Sequence, residues 1–235
     1  MKVLKFGGSS LKSSSSIKKV IQRIYNDKPI GVVVSAAGGT TDQILEIIAS
    51  SEMGNDHKND LSVLLKKFIV LAEELNLEKS SYLSLIDSLQ AEVEPFFNEI
   101  KKGKYANKKS KDAILSIGER LTAHVITQTC LHHKLDVAFL DAREVIVTDD
   151  NFGNAYVYYK ESYSKIRKLC KNTEKIFIIT GFIGSTKKNE TTTIGRSGSD
   201  YTASIFGAAL NVKKIEIWTD VNGILSTDPN VVPHA

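Results

Sequence analysis

Short runs of β-branched and aliphatic residues recur along the chain, and segments of mixed apolar and polar residues separate them. Five of these runs, at residues 3–6, 30–35, 136–140, 176–180 and 215–219, have the length of strands and are apolar at most positions. A strand with two apolar faces is buried on both sides, which is typical of a parallel sheet covered by helices. The pattern therefore predicts an α/β chain built from βαβ units.

The intervening segments predict amphipathic helices. In the first, residues 13–16 are serines that can cap a helix, and Ile17, Val20, Ile21 and Ile24 follow at the i, i+3, i+4, i+7 spacing of one helical face. Similar spacing predicts helices at residues 42–50, 60–78, 80–101, 112–133, 160–172 and 200–210. Pro95 predicts a kink or a break. We expect one α/β domain with a helical insert at about residues 54–111.

Composition narrows the class of protein. The 235 residues are 42% hydrophobic, include two cysteines and carry a net charge of +4, which is typical of a globular protein and excludes a disordered chain or a disulfide scaffold. Cys130 and Cys170 lack metal-site or CxxC spacing, so we interpret them as reduced thiols of a cytoplasmic protein. No segment approaches the roughly 20 apolar residues of a membrane span. The mild positive charge favours small anionic ligands over nucleic acid, and six lysines at residues 101–111 indicate a solvated loop.

Two glycine-rich loops follow predicted strands. The first, Lys5-Phe6-Gly7-Gly8-Ser9-Ser10, offers a lysine and backbone N–H groups that an anion can approach closely. The second, residues 35–42, again leads from a strand into a helix through two glycines. Each loop by itself is equally compatible with a tight turn and a helix cap. Because the ends of parallel strands share one edge of the sheet, two such loops together favour a phosphate site.

Two further loops carry polar side chains. Residues 180–184 and 191–201 include Arg196 between glycines, with Ser199 and Asp200 at the predicted start of a helix. Those two residues are also ordinary helix caps. After the last predicted strand, Asp220 is placed to bond a ribose or a base, although Asn-Gly and Asp-Pro turns explain this segment as well.

Several enzyme classes lose their main support because their motifs are absent from the sequence. There is no GxxxxGK[ST], no GxGxxG after the first strand, no HRD with DFG, no HExxH and no GxSxG. The five histidines lie apart without metal-site spacing, and we interpret them as structural or surface residues. We predict no metal site built from side chains, so a metal would arrive with a nucleotide.

Five blocks of sequence together resemble the amino-acid kinase family, and within it the aspartokinases. They are KFGGSS at 5–10, VVSAAGGTTD at 33–42, SIGERLTA at 116–123, GRSGSDYTA at 195–203 and WTDVNGILSTDP at 218–229. The resemblance implies a three-layer α/β/α sandwich with a mostly parallel central sheet, the carbamate kinase-like fold. It implies that residues 1–235 are a catalytic domain incomplete at its C-terminal end, with the regulatory ACT domains absent.

The resemblance also implies a reaction. The γ-phosphate of ATP is transferred to the β-carboxylate of L-aspartate, giving 4-phospho-L-aspartate for lysine, threonine and methionine biosynthesis. A carboxylate acceptor has an unperturbed pKa of about 3.9, so no general base is required, and catalysis consists of aligning two anions and neutralising charge. Mg²⁺ would be held mainly by the nucleotide phosphates. The whole protein is expected to be a homo-oligomer, with or without a fused homoserine dehydrogenase.

Residue by residue, the resemblance implies three groups of site residues. The catalytic residues are Lys5 and Asp200. The residues expected to bind ATP are Lys5, Gly7, Gly8, Ser9, Ser35, Thr219, Asp220 and Gly223. Those expected to bind aspartate are Thr41, Glu119, Phe182, Arg196, Ser199 and Asp200, with Arg196 facing the α-carboxylate and Glu119 the ammonium.

Two residues depart from the family pattern, since Leu225 stands where the family usually has Tyr and Asn230 where it has Arg. Both lie on the nucleotide side, so stacking or phosphate contacts there are expected to be weaker. Three other interpretations stay open at this point. They are another amino-acid kinase acting on acetylglutamate, glutamate or a nucleotide, a non-catalytic aspartate or nucleotide sensor, and an α/β domain without a ligand.

Overall fold

The computed structural model describes residues 1–171 and 173–219. These residues form eight strands, which are β1 (Lys2–Phe6), β2 (Gly31–Val34), β3 (Val137–Leu140), β4 (Val147–Thr148), β5 (Ile176–Thr180), β6 (Ile183–Thr186), β7 (Thr191–Thr193) and β8 (Lys214–Trp218). They also form seven α-helices, which are α1 (Ser14–Asp27), α2 (Thr40–Glu52), α3 (Lys58–Glu74), α4 (Leu83–Gly103), α5 (Lys108–His132), α6 (Tyr159–Cys170) and α7 (Gly198–Ala209).

The central sheet contains five strands in the order β3-β5-β2-β1-β8, and every neighbouring pair is parallel. These are the five apolar runs that the sequence predicts, so the prediction of a parallel sheet is confirmed. Their carboxyl ends lie at one edge of the sheet because Phe6 pairs with both Val34 and Trp218. The loops that follow β1, β2, β5 and β8 therefore leave from the same edge.

Alternate residues of each strand enter two different hydrophobic cores. Leu4, Phe6 and Val32 pack on one side with helices α1 to α5, whereas Val3 and Val33 pack on the other side with α6 and α7. Both faces of the sheet are thus covered, which explains why the strands lack polar alternation. The three-layer α/β/α sandwich is confirmed.

A second, smaller sheet has the order β4-β6-β7 and was not predicted. Its strands are only two to four residues long and rich in threonine, so they lack the apolar run on which strand prediction relies. Strands β6 and β7 are antiparallel, with Ile183 opposite Thr193. This hairpin connects two segments that reach the functional site.

The helical insert packs into the main core, because Leu61, Leu65, Val93 and Phe97 join the same cluster as the strands. No break occurs at Pro95, since α4 continues through it with buried residues on both sides. The prediction of a loop at residues 101–111 is wrong in part. The end of α4 and the start of α5 carry five of the six lysines, and only Lys104 lies between the two helices.

Helix α5 runs through the interior and carries buried polar side chains that contact separate parts of the molecule. Asp112 accepts hydrogen bonds from the N–H groups of Gly153 and Thr193 at 2.8 Å each. Arg120 donates to both carboxylate oxygens of Glu92 in α4 at 2.8 Å. These contacts tie α5 to the small sheet and to the insert.

Both cysteines are free thiols, with Cys130 buried in α5 and Cys170 partly buried at the end of α6. Burial raises the pKa of Cys130 to about 12 and that of Cys170 to about 11, so both stay protonated at neutral pH. Among residues 1–171 and 173–219, no helix is both long and apolar enough to cross a membrane.

Candidate active site

The loops at the carboxyl edge of the sheet surround a cleft of about 340 Å³. The first glycine loop, the loop after β2, helix α5 and the turn before α7 form its walls. Nine of the predicted site residues line it, namely Lys5, Gly8, Ser35, Thr41, Glu119, Phe182, Arg196, Ser199 and Asp200. Residues far apart in sequence thus meet in one place.

Lys5 lies on the same face of β1 as Val3, which is the face that α7 covers. Its side chain lines the cleft beside the start of α7. Its ammonium lies 2.8 Å from Asp200 Oδ1, and the Lys5 residue is only 8% exposed. Within the described residues this carboxylate oxygen accepts no hydrogen bond, so the contact is an ion pair without hydrogen-bond geometry. The N–H donors of Lys5 therefore remain available to an anion.

Backbone amides at two turns also remain available. The described hydrogen bonds use neither the N–H groups of Gly8 and Ser9 nor those of Gly198 and Ser199. Gly198 and Ser199 form the first turn of α7, where N–H groups and the helix dipole both favour an anion. Together with Lys5, the amides of Gly8, Gly198 and Ser199 make this wall of the cleft an anion site, and the Ser9 amide follows Gly8 in sequence.

Gly7 contributes differently from the phosphate contact that its sequence motif suggests. Its N–H donates to the carbonyl of Trp218 at 3.1 Å, which joins the first glycine loop to the end of β8. A Cβ at Gly7 would lie 3.6 Å from Lys5 Nζ, so glycine leaves open space beside the ammonium. Neither Gly7 nor Ser9 lines the cleft.

The loop after β2 differs from the first glycine loop because its amides are already bonded. The N–H of Ala36 donates to Glu119 Oε1 at 3.3 Å, that of Ala37 to Thr122 Oγ1 at 2.9 Å, and that of Gly38 to the Gly8 carbonyl at 2.9 Å. These three amides are therefore not available to a ligand. The glycine-rich sequence serves here to pack two loops closely, since a Cβ at Gly8 would lie 2.6 Å from the Ala36 carbonyl.

Glu119 lies on α5 at the base of the cleft and is 4% exposed. Burial raises the pKa of its carboxyl group to about 8, although the Ala36 N–H lowers it in part. No ion pair links Glu119 to a basic side chain anywhere in residues 1–171 and 173–219. A buried carboxylate without a cation is costly, so the position suits a positively charged ligand group.

Arg196 lines the same cleft and is exposed. It makes no ion pair with a carboxylate in the described part of the chain. Two neighbours in the left-handed region, Gly195 with φ +83° and Ser197 with φ 58°, turn the backbone around it. Arg196 thus lines the cleft, and no hydrogen bond or ion pair within residues 1–171 and 173–219 uses its guanidinium donors.

Phe182 occupies a strained conformation between β5 and β6, with φ 67°. A large side chain is uncommon in the left-handed region and is held there by its surroundings. The N–H of Phe182 donates to Thr202 Oγ1 at 3.1 Å, and its ring fills the space above Gly198, where a Cβ would lie 2.7 Å from Cδ2. Nothing in the sequence indicates this strain.

The polar residues at the strand and helix ends complete the lining. Ser35 follows β2, Thr41 lies in the first turn of α2, and Ser199 is buried against Gly181, where a Cβ would lie 2.5 Å from Ser199 Oγ. Thr219 directly follows β8 and does not line the cleft. Asp220, Gly223, Leu225 and Asn230 lie outside the described residues.

Sequence reasoning missed several residues of the lining. Asp42, Gly39, Gly195 and Ser197 face the cleft, and all four lie within the motif blocks that identify the other residues. Thr122 was also missed, although it lies in the same block as Glu119 and bonds the adjacent loop. The sequence signal that could have identified these residues is their position within the motif blocks. Within the described residues, no group of three or more His, Cys, Asp or Glu side chains is arranged to hold a metal ion.

Comparison with known proteins agrees with the fold. The chain is 33% identical to an aspartokinase of Chlamydia muridarum over 98% of its own length and 50% of that protein. It is 31% identical to the chloroplastic bifunctional aspartokinase/homoserine dehydrogenase 2 of Arabidopsis thaliana, covering 99% of this chain and 26% of that protein. The chain thus spans about half the length of the first of these relatives, or less.

A solved structure of E. coli aspartokinase III in complex with aspartate and ADP superposes with a TM-score of 0.88 at 26% identity, covering 98% of this chain and 52% of that one. The model of the amino acid kinase family matches residues 1–235, the full sequence. From the sheet, the cleft and this match, the chain belongs to the amino acid kinase family.

Proposed function

We propose that this chain is the catalytic part of an aspartate kinase, which transfers the γ-phosphate of ATP to the β-carboxylate of L-aspartate. One observation carries the proposal. Among the residues that the structure describes, Glu119 is a buried carboxylate without a cation and Arg196 an exposed guanidinium without an anion, and both line the same cleft as Lys5 and a set of amides without a hydrogen-bond acceptor. A zwitterion with a second carboxylate matches this arrangement of charges.

The two ends of the amino acid would be bound by opposite charges. The α-ammonium group would pair with Glu119, which offsets the cost of burying that carboxylate. The α-carboxylate would accept two hydrogen bonds from the fork of Arg196, and Thr41, Phe182 and Ser199 would line the space between them. The β-carboxylate would then be directed toward Lys5.

The transfer step needs no proton movement. One oxygen of the ionised β-carboxylate forms a bond to the γ-phosphorus, the bond from that phosphorus to the bridging oxygen breaks, and ADP leaves with the electron pair. The products are ADP and an acyl phosphate. Because both reactants are anions, the main requirement is to align them and to neutralise the charge that accumulates between them.

Lys5 and the amides of Gly8, Ser9, Gly198 and Ser199 would bind the phosphates. Asp200 would hold the Lys5 ammonium in place through their 2.8 Å contact. Ser35 and the residues after β8, namely Thr219, Asp220 and Gly223, would contribute to nucleotide binding. Mg²⁺, when bound with ATP and held mainly by its phosphates, would neutralise part of their charge.

The alternatives fit the cleft less well. An N-acetylated amino acid has no ammonium group and would leave Glu119 buried without a cation. Glutamate keeps the ammonium and α-carboxylate groups, but its side-chain carboxylate lies one methylene farther from the α-carbon than that of aspartate. A non-catalytic aspartate sensor would need neither the Lys5 ammonium group nor the amides of Gly8, Gly198 and Ser199 beside the acceptor.

Other properties of the whole protein belong to the same proposal. The reaction would serve lysine, threonine and methionine biosynthesis in the cytoplasm. The whole protein would be a homo-oligomer. The kinase is fused to a homoserine dehydrogenase in the Arabidopsis relative.

Turnover with defined acceptors tests the proposal. ADP release is followed in a coupled assay, and the acyl phosphate is trapped with hydroxylamine, with L-aspartate, L-glutamate or N-acetyl-L-glutamate as acceptor. We expect turnover with L-aspartate alone. Preferred turnover of another acceptor would overturn the substrate assignment. Calorimetric binding of L-aspartate that is lost in Arg196→Ala, without any turnover, would instead identify a sensor.

A further inference from the structure

The loop after β2 forms part of the cleft, yet its three central amides point into the protein. Ala36 and Ala37 are 5% and 8% exposed, so each of their N–H groups needs a protein acceptor. Both acceptors are side chains of α5, Glu119 for Ala36 and Thr122 for Ala37. The position of this loop is therefore fixed by a helix that is distant in sequence.

The spacing of residues on α5 suits this task. Gly118 and Thr122 are four residues apart and face the same side. A Cβ at Gly118 would lie 2.9 Å from the Ala36 Cβ and 3.1 Å from Thr40 Cγ2, so glycine permits the close approach. One turn later, Thr122 Oγ1 accepts the Ala37 N–H at 2.9 Å and donates to the Gly118 carbonyl at 2.7 Å.

The loop in turn fixes the first glycine loop. The N–H of Gly38 donates to the Gly8 carbonyl at 2.9 Å, and the Ala36 carbonyl lies against the Gly8 Cα. Gly8 carries one of the free amides of the anion site. A continuous set of contacts thus runs from Thr122 through Ala37 and Gly38 to Gly8.

We infer that Thr122 is a positioning residue that seats the loop after β2 and, through Gly38, sets the place of the Gly8 amide in the cleft. Thr122 does not line the cleft and touches no ligand group itself. The seating of the loop rests on the hydrogen bonds alone, whereas its effect on catalysis rests on the proposed function.

Helix α5 contains two matched controls. Thr127 and Thr129 are as buried as Thr122, and each hydroxyl donates to the carbonyl four residues earlier at 2.7 Å. Neither accepts a hydrogen bond from a loop amide in the described part of the chain. Replacing one of them by valine removes the same bond within the helix but leaves the loop after β2 bonded.

The experiment compares Thr122→Val, Thr122→Ser and Thr127→Val in the protein without ligands. Exchange of the Ala37 amide with solvent deuterium is measured by NMR. Because Thr122→Val leaves a buried amide without its acceptor, we expect this amide to exchange about tenfold faster. Serine keeps the hydroxyl, so Thr122→Ser and Thr127→Val should stay within about twofold of the unchanged protein. Equal acceleration in Thr122→Val and Thr127→Val would overturn the inference.

Steady-state kinetics with ATP and L-aspartate then test the consequence for catalysis, well below the melting temperature of each variant. We expect Thr122→Val to lower kcat/KM for ATP about tenfold, with Thr122→Ser restoring it and Thr127→Val unaffected. Unchanged kinetics despite faster exchange would overturn the positioning role. If Thr122→Val does not fold, Thr122→Ala makes the same comparison.

The amide-exchange measurement and the kinetic measurement together separate this inference from the proposed function. A protein that binds no aspartate and releases no ADP would refute the function, but the Ala37 exchange rates would still decide whether Thr122 seats the loop. Normal turnover with equal exchange in all variants would refute the inference and leave the function intact.

Discussion

Two glycine-rich turns border the cleft and use their backbones in opposite ways. In the loop after β2, Ala36, Ala37 and Gly38 all donate their N–H groups to other parts of the protein. In the turn that begins α7, the described hydrogen bonds leave the N–H groups of Gly198 and Ser199 unused. Glycine permits close packing in both turns, but only the second turn leaves its amides open to a ligand among the described hydrogen bonds.

The difference separates stability from binding. Changes in the packed loop should alter folding first and activity as a consequence, because its groups already have protein partners. Changes at Arg196 or at the open amides of this turn should alter ligand binding with little effect on folding, because these groups have no hydrogen-bond or ion-pair partner among the described residues. The following predictions test this separation.

The largest expected effect is at Lys5, which lies in the wall of the cleft that forms the anion site. Lys5→Met removes the ammonium that would neutralise the transferred phosphate, and we expect kcat to fall by about 10²–10³-fold. The measurement is steady-state turnover with saturating L-aspartate and ATP. Lys5→Arg keeps the charge and should retain more activity than Lys5→Met. A loss smaller than tenfold in Lys5→Met would show that the amides alone suffice.

Arg196→Ala should raise KM for L-aspartate by about 10- to 100-fold, the range expected for a charge-assisted hydrogen-bonded pair. Its melting temperature should be unchanged because Arg196 is exposed and has no ion-pair partner among the described residues. Arg196→Lys keeps the charge but not the fork, so an intermediate KM is expected. A large loss of thermal stability in Arg196→Ala would contradict the separation.

Glu119 bonds the loop after β2 and also lines the cleft. Its ionisation should therefore change the affinity for L-aspartate. The pKa of about 8 means that its carboxyl group is mostly protonated at pH 7 in the free protein. An ammonium ligand needs the ionised form, so KM for L-aspartate should fall by about tenfold as pH rises from 7 to 8.5. A flat profile over this range would contradict an ammonium contact at Glu119.

Glu119→Gln removes the charge but keeps an acceptor for the Ala36 N–H. Because the raised pKa favours the protonated form in the folded state, ionisation of Glu119 costs stability increasingly as pH rises above its ordinary value of 4.5. We therefore expect Glu119→Gln to melt at a higher temperature than the unchanged protein at pH 8 and to bind L-aspartate poorly. Thermal unfolding and calorimetry at pH 8 measure the two effects.

The smallest effects distinguish two glycines near the loop after β2. Gly39 has φ +80° and no atom within 4 Å of a built Cβ, so Gly39→Ala should cost about 1–2 kcal/mol of folding free energy from backbone strain alone. Gly8→Ala would place a Cβ 2.6 Å from the Ala36 carbonyl and should cost more, near the upper end of the range of about 1–3 kcal/mol for overpacking, and also lower activity. Denaturant unfolding measures both. Equal costs would mean that the loops after β1 and β2 move apart easily enough to accommodate the methyl group of Gly8→Ala.

The sequence predicts most of the central sheet, since five strands with two apolar faces have few other solutions. It also predicts most of the cleft, because Lys5, Glu119 and Arg196 lie in distinctive blocks at or near the carboxyl edge. The small sheet is not predictable, since strands as short as Val147–Thr148 carry no periodic signal.

Two further features depend on tertiary contacts that sequence patterns do not record. The sequences of the two glycine-rich turns are similar, but only the position of α5 decides that the amides of one are occupied. In the same way, Thr122 and Thr127 look alike on one helix, and only the approach of Ala37 distinguishes them.

The buried polar side chains of α5 fix the rotational phase of this helix. Asp112 contacts β7, Arg120 contacts α4, and Glu119 and Thr122 both contact the loop after β2. Successive residues of an α-helix are separated by about 100°. An insertion or deletion of one residue between Asp112 and Glu119 would turn these side chains away from one or other set of partners. The number of residues between Asp112 and Glu119 is therefore fixed by these contacts, whereas no such contact fixes the length of a surface connection.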